Sequence, residues 1–369
     1  MTKSPRYLAL DVLRGITIAG MILVNTPGSW SYVYPPLRHS EWNGCTPTDL
    51  VFPFFLFVMG VSMFFSFAKY GSELNKQSLY KIAKRTLLIF AIGLFMNSFP
   101  QWKHDFSELR IMGVLQRIAI VYGISAVLVL SFKYRTIQYI GGAILLAYWA
   151  ILYFFGGTEP YSLEGNIVTN IDRWIFGEQH MYHGFGIAFD PEGLLSSLPA
   201  VVTTLIGYLV GRSIKTIEKV KLPLHLLIVG AVLTAAGWLW DFVWPINKPI
   251  WTGSYVVYTA GLGTIFLAIL IWIIDIREYK KWTSFFVVFG MNPLFIYALS
   301  GIWVNLLYSF QFSDPVKVET MSGYQALYEK VFVPLADNMN GSLLFGLAHI
   351  IFFWFIGWIL YKRKIFIKV

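Results

Sequence analysis

A histidine and an aspartate stand close together in the segment Arg38-His39-Ser40-Glu41-Trp42-Asn43-Gly44-Cys45-Thr46-Pro47-Thr48-Asp49. Imidazole changes charge near neutral pH, which makes histidine the usual general base. Asp49 is an acid able to orient it. The Pro35-Pro36 turn precedes the segment, and Thr48 or Asp49 is placed to cap a following helix. His39 is therefore expected in a compact loop, and the competing reading is a plain solvated histidine. Cys45 has no activating neighbour at a readable spacing, so a buried thiol is expected there.

Other polar residues interrupt apolar stretches. Asp11 and Arg14 are spaced i, i+3 and can pair on one helix face, with Asn25 further along the same stretch. Gly113, Gln116 and Arg117 interrupt another; Arg117 needs an outer-loop carboxylate, a carbonyl or a ligand as partner. Both sets read equally well as structural pairs or as functional groups, because ionisable residues inside a membrane are costly. His180 and His183 form an HxxH pair without further ligands nearby, so no metal centre is expected. His104, His225 and His349 stand alone. There is no GxSxG, P-loop or dinucleotide glycine motif.

These residues must be positioned by membrane helices. Of 369 residues, 56% are hydrophobic, 18% aromatic and only 13% charged. A soluble domain carries about a quarter charged residues. The composition excludes a disordered chain, a basic nucleic-acid-binding domain and an ordinary cytosolic enzyme. About 20 apolar residues span a bilayer as a helix. Ten stretches qualify, at 7–27, 49–69, 82–99, 110–131, 136–156, 192–211, 222–240, 252–274, 283–308 and 341–361. The ninth contains Asn292-Pro293, where a kink or break is expected. The first lacks a cleavage site and is expected to be a retained span rather than a signal peptide. With the N-terminus inside, 20 of the 29 basic residues fall on the inner side and seven on the outer. Both ends are then cytoplasmic by the positive-inside rule. The net charge of +9 thus reports topology and not nucleic acid. Outer segments at 28–48, 157–191 and 309–340 are expected to form ordered caps. The fold class is an all-α polytopic membrane protein, one transmembrane domain over 1–369, in contact with membrane lipid.

Ten spans, buried charges and a broken ninth helix by themselves also suit a transporter. The motifs favour another reading. The strings LDVLRGITIAGMILVNTPGSW and LRHSEWNGCTPTDLVFPFFLFVMG open the chain. RIMGVLQRIAIVYG (110–123), FDPEGLLSSLPAVVTTLIGYLVG (189–211), INKPIWTGSYVVYTAGLG (246–263) and FGMNPLFIYALS (289–300) follow in order. Together they resemble the heparan-alpha-glucosaminide N-acetyltransferase family, in a bacterial form without the large lumenal N-terminal portion of the animal enzymes. The resemblance implies an acetyltransferase of the bacterial inner membrane that takes acetyl-CoA from the cytoplasm and acetylates an amino sugar, glucosamine or a glucosamine-ended saccharide, outside. The family's active histidine falls on His39, its first-span asparagine on Asn25 and its DLVFP acid on Asp49. His39 is expected as general base, Asn25 as oxyanion donor and Asp49 as the group that orients His39. Arg14, Asp11, Arg117 and Asn292 are the residues expected to serve CoA. Direct transfer is favoured over an acetyl-His39 intermediate, a membrane O-acyltransferase differs only in acceptor, and the resemblance leaves room for a homodimer.

Overall fold

A computed structural model describes residues 7–67, 73–100, 106–314 and 319–367. His104 and both chain ends, assigned above to the inner side, lie outside them. The long helices are α1 (Leu8–Asn25), α2 (Val51–Phe67), α3 (Lys76–Ser98), α4 (Val114–Ser131) and α5 (Tyr134–Phe155). After the short α6 (Ile167–Phe176) come α7 (Ser197–Thr216), α8 (Leu222–Trp240) and α9 (Gly253–Leu270), which runs on as a π turn to Ile276. The chain continues through α10 (Thr283–Met291), α11 (Pro293–Ser309), a hairpin of β1 (Gln311–Asp314) and β2 (Glu319–Ser322), α12 (Gly323–Leu327) and α13 (Val333–Lys362).

Every expected span falls on a helix. Among the described residues, eight helical stretches are long and apolar enough to cross a bilayer, and the bent pair α10–α11 makes a ninth. The tenth expectation, α3, is 23 residues long. Its first ten residues carry Lys76, Lys81, Lys84 and Arg85, so its apolar part is shorter than the helix. The break at Asn292-Pro293 is an 82° bend. Asn292 leaves the helical region at φ −132°, and Pro293 brings no N–H to continue the ladder. Leu224, Ile228 and Val232 of α8 and Phe154 of α5 point outward and are well exposed. Such apolar faces suit lipid and not water.

Close packing depends on glycine where helices cross. A methyl on Gly60 of α2 would lie 1.9 Å from the Thr204 carbonyl oxygen of α7, and one on Gly207 would lie 2.0 Å from the Phe57 oxygen. Gly15 of α1 and Gly290 of α10 meet Phe286 and Asp11 backbone in the same way, at 1.8 and 2.2 Å. The helices that flank the His39 loop and Arg14 are thereby locked backbone to backbone.

The segments 28–48 and 157–191 are ordered, as expected. Trp42, Phe185, Phe189, Trp149, Trp240 and Trp244 interlock through edge and stacked ring contacts. Trp42 Nε1 donates to Tyr161 O at 2.7 Å, tying the 28–48 cap to the 157–191 cap. β1 and β2 pair antiparallel and are the only named strands among the described residues.

Candidate active site

The loop between α1 and α2 ends in a 3₁₀ turn, Pro47–Leu50, that leads into α2. Thr46 caps it, rather than Thr48 or Asp49 as the sequence suggested, because Pro47 takes the first helical position, where its missing N–H costs nothing. Asp49 reaches back: its Oδ2 accepts from Thr46 N, Thr46 Oγ1 and Ser40 N, each at 3.0 Å. Its Oδ1 lies 2.6 Å from His39 Nδ1. Tyr255 of α9 donates to the Asp49 carbonyl at 2.6 Å from beneath. The carboxylate is fully buried, and its contacts are donors apart from the Thr46 hydroxyl, whose one proton is shared with Arg38 O at 2.7 Å. Asp49 is therefore placed as the acceptor for a proton carried on His39 Nδ1. The remaining lone pair, on Nε2, belongs to a side chain that is 42% exposed. This is the geometry of an oriented base.

A third group completes the cluster, and sequence reasoning missed it. Lys248 Nζ lies 3.0 Å from His39 Nδ1 and 3.4 Å from Asp49 Oδ1. It is carried by the turn Asn247–Thr252, in which Ile250 N donates to Asn247 Oδ1 at 2.9 Å and Asn247 N to Thr252 Oγ1 at 3.0 Å. Trp251 sits in the left-handed region at φ +50°, where a bulky side chain is uncommon. Asn247 Nδ2 donates to Trp42 O and Asn43 Oδ1, both at 3.0 Å, and Gly44 N to Ile246 O at 2.7 Å. Two loops more than 200 residues apart are thus stitched together around His39. Burial pushes the Lys248 ammonium below its usual range, against the pull of Asp49 and Glu192. Burial, with Asp49 nearby, pushes the Cys45 thiol up to about 12, so it remains an unreactive thiol.

Asn25 is the last residue of α1, at the same end of the bundle, and its side chain is exposed. The enclosed setting in which an oxyanion donor is strongest does not surround it. Arg117 is wholly buried. Its Nη2 donates to Ser196 Oγ and to Gly193 O (3.3 Å), and its guanidinium lies 4.8 Å from the Trp251 ring centre. Arg110 takes the nearby carboxylates, binding Asp190 at 2.9 and 2.7 Å and Glu192 at 2.8 Å. His180 Nδ1 lies 2.8 Å from Leu109 O, a structural contact.

At the other end of α1, Arg14 pairs with Asp11 at 2.7 Å and lines a cavity of about 530 Å³ with Lys81 and Arg85 of α3 and Tyr122 of α4. Arg14 stands eleven residues before Asn25, about 16 Å along the helix axis. A second, apolar cavity of about 280 Å³ adjoins the first through Leu294 and Ile367 and runs along α3 and α11 to Phe95 and Ile302. Of the four residues expected to serve CoA, Arg14 lines the basic cavity and Asp11 holds it. Arg117 lies apart, against the loop that bears Lys248. Asn292 spends both ends of its amide on backbone, donating to Ile365 O (3.0 Å) and accepting from Ile367 N (2.7 Å). It braces the wall between the two cavities rather than offering a free amide.

Comparison with known proteins shows what the chain is similar to. The family model described as heparan-alpha-glucosaminide N-acetyltransferase, catalytic, matches residues 6–167, which hold Asn25, His39 and Asp49. The human protein named heparan-alpha-glucosaminide N-acetyltransferase is 28% identical over 427 aligned residues, covering 99% of this chain. The chain is thus similar to proteins of this name along nearly its whole length, and to the family model over residues 6–167. The mouse protein of the same name is 27% identical, over 100% of the chain. The chain spans about three fifths of the length of these curated relatives, 60% and 61%. Lys248 lies outside the region matched by the family model, and the two cavities lie only partly within it.

Proposed function

We propose that this protein is a multi-pass acetyltransferase of a bacterial inner membrane that passes the acetyl group of cytoplasmic acetyl-CoA to the amine of glucosamine, or of a terminal glucosamine, on the outer side. The observation that carries the reading is the 2.6 Å contact between His39 and the buried Asp49, at the bundle end opposite the basic cavity. With both termini inside, that cavity opens to the cytoplasm, where Arg14, Lys81 and Arg85 suit the phosphates of CoA. The adjoining apolar cavity suits the pantetheine arm.

In the step proposed, the amine nitrogen attacks the thioester carbonyl. His39 Nε2 takes the N–H proton as the new C–N bond forms. Asn25 donates to the carbonyl oxygen as charge gathers there. The C–S bond then breaks, and the proton on His39 passes to the leaving CoA sulfur. Amine, thioester and base meet in one complex. An acetyl-imidazole is labile, and His39 is 42% exposed, so an acetylated His39 would meet water. That exposure favours direct transfer over an acetyl-His39 intermediate. Purified protein in detergent, given acetyl-CoA, should release CoA only when glucosamine is added. Release of nothing, with glucosamine uptake into vesicles instead, would favour a carrier.

A further inference from the structure

Asp49 and Lys248 both approach one nitrogen of His39, and Nδ1 cannot serve both in the same way. If Nδ1 accepted from the ammonium, its lone pair and the Asp49 carboxylate would face each other at 2.6 Å, acceptor against acceptor. If Nδ1 carries the proton, it donates to Asp49 at that short distance and Lys248 shares the same carboxylate oxygen at 3.4 Å. The second arrangement satisfies the shorter contact, and charge-assisted hydrogen bonds are the short ones. It leaves a positive charge 3.0 Å from the ring.

We propose that Lys248 is a positioning residue that keeps His39 neutral, with Nδ1–H committed to Asp49 and the Nε2 lone pair available outward. Asp49 alone would draw a second proton onto the ring, because an adjacent carboxylate favours the charged imidazole. A doubly protonated ring has no lone pair and cannot act as a base. The Lys248 ammonium opposes that protonation by like-charge repulsion. The other groups facing the cluster do not replace it. Arg38 turns its Nε to Val33 O at 2.7 Å. Cys45 is held as a neutral thiol, and Tyr255 is bonded to the Asp49 backbone. Glu192 acts on Lys248 from the 190–196 segment and favours the charged ammonium. The turn built on Asn247 gives Lys248 its place: its side chain is only 17% exposed, so little water screens its charge.

The inference rests on the acetyltransferase reading for its consequence, but its test does not. Protein labelled with ¹⁵N at histidine is titrated in detergent, and the His39 signals are assigned by their loss in His39→Asn. In the unaltered protein the ¹⁵N shifts should show Nδ1 protonated and Nε2 bare; an Nε2–H tautomer would overturn the proposal without any Lys248 variant. In Lys248→Met, and independently in Lys248→Gln, the His39 titration midpoint should rise by about one to two pH units. Lys248→Arg should return it. In parallel, the acid limb of kcat/KM should move up by the same amount, with activity regained at higher pH. A midpoint that stays put in a folded Met or Gln variant overturns the proposal even if acetyl transfer is confirmed. A midpoint that rises in a protein showing no acetyl transfer supports the role of Lys248 and sinks the acetyltransferase reading instead.

Discussion

Replacing Asp49 by Asn is the sharpest single perturbation of the site. Four nitrogen groups meet the carboxylate, Ser40 N and Thr46 N on one oxygen and His39 Nδ1 and Lys248 Nζ on the other, and the Thr46 hydroxyl divides its proton between the first oxygen and Arg38 O. An amide has one acceptor end. Keeping its oxygen on the Ser40 and Thr46 side preserves the cap of the 3₁₀ turn before α2, and its NH₂ then points at His39. The ring must turn its lone pair to that NH₂, so the proton moves to Nε2 and the base is lost. The same exchange of tautomer costs about 10⁴ in kcat in a Ser-His-Asp triad. His39 is more exposed and can flip more freely, so a loss of about 10²–10⁴ is expected, or about 3–5 kcal/mol of barrier. Loss of one charge-assisted hydrogen bond removes about 1.5–3 kcal/mol of stability, so a lower melting temperature with a folded protein is also expected. CoA release is followed against glucosamine and acetyl-CoA in turn, with kcat and KM separated. Retention of more than about a tenth of kcat, in a protein that binds acetyl-CoA normally, would refute the role of Asp49 and with it the oriented base.

Further outcomes follow from the same geometry. His39→Ala should lower kcat at least 10²-fold and leave the fold and acetyl-CoA binding intact, since its loop position carries little packing; more than a few percent residual rate would remove it as base. Asn25→Ala should act on kcat more than on KM, by about 10²-fold; a pure KM effect would make it a substrate-positioning residue. Arg85→Ala should raise KM for acetyl-CoA and leave KM for glucosamine unchanged; the reverse pattern would move the donor site elsewhere. Asp172 of α6 is buried with one oxygen bonded to Leu194 N, and desolvation, with Asp190 adding, pushes its carboxyl up to about 7. A raised acid stabilises the fold fully below its unfolded value near 4 and loses that contribution as pH rises through about 7. Thermal stability should therefore fall between pH 4 and pH 8, by up to about 4 kcal/mol, and Asp172→Asn should flatten that slope. An unchanged slope in the variant would place the titration in another group.

The sequence carried the helices well because membrane spans are written in consecutive residues. The Asn292-Pro293 break was legible for the same reason: proline acts on its own helix. The pairing of His39 with Asp49 lay within one loop and could be read from types and spacing. Lys248 could not, because its contact with His39 joins residues 209 apart in sequence. The only local signal was the Asn-Lys-Pro turn, and nothing in it names its partner. Arg117 was expected to find an outer-loop carboxylate, a carbonyl or a ligand; it finds the Gly193 carbonyl and the Ser196 hydroxyl, while Arg110, seven residues earlier and outside α4, reaches Asp190 and Glu192. Asn292 was expected to be available to a ligand, but a helix break leaves backbone groups unpaired, and its amide satisfies those of residues 365 and 367. In both cases the polar residue was correctly singled out as costly, and its partner was decided by tertiary packing.

The proposed reaction carries an acetyl group from one end of this helix bundle to an amine at the other. It is tested most directly in sealed proteoliposomes with radiolabelled acetyl-CoA enclosed and glucosamine supplied only outside. The account predicts labelled N-acetylglucosamine in the outer medium, absent when His39→Ala replaces the unaltered protein. Labelled product that forms only when acetyl-CoA and glucosamine are on the same side, or that persists in His39→Ala, would contradict it.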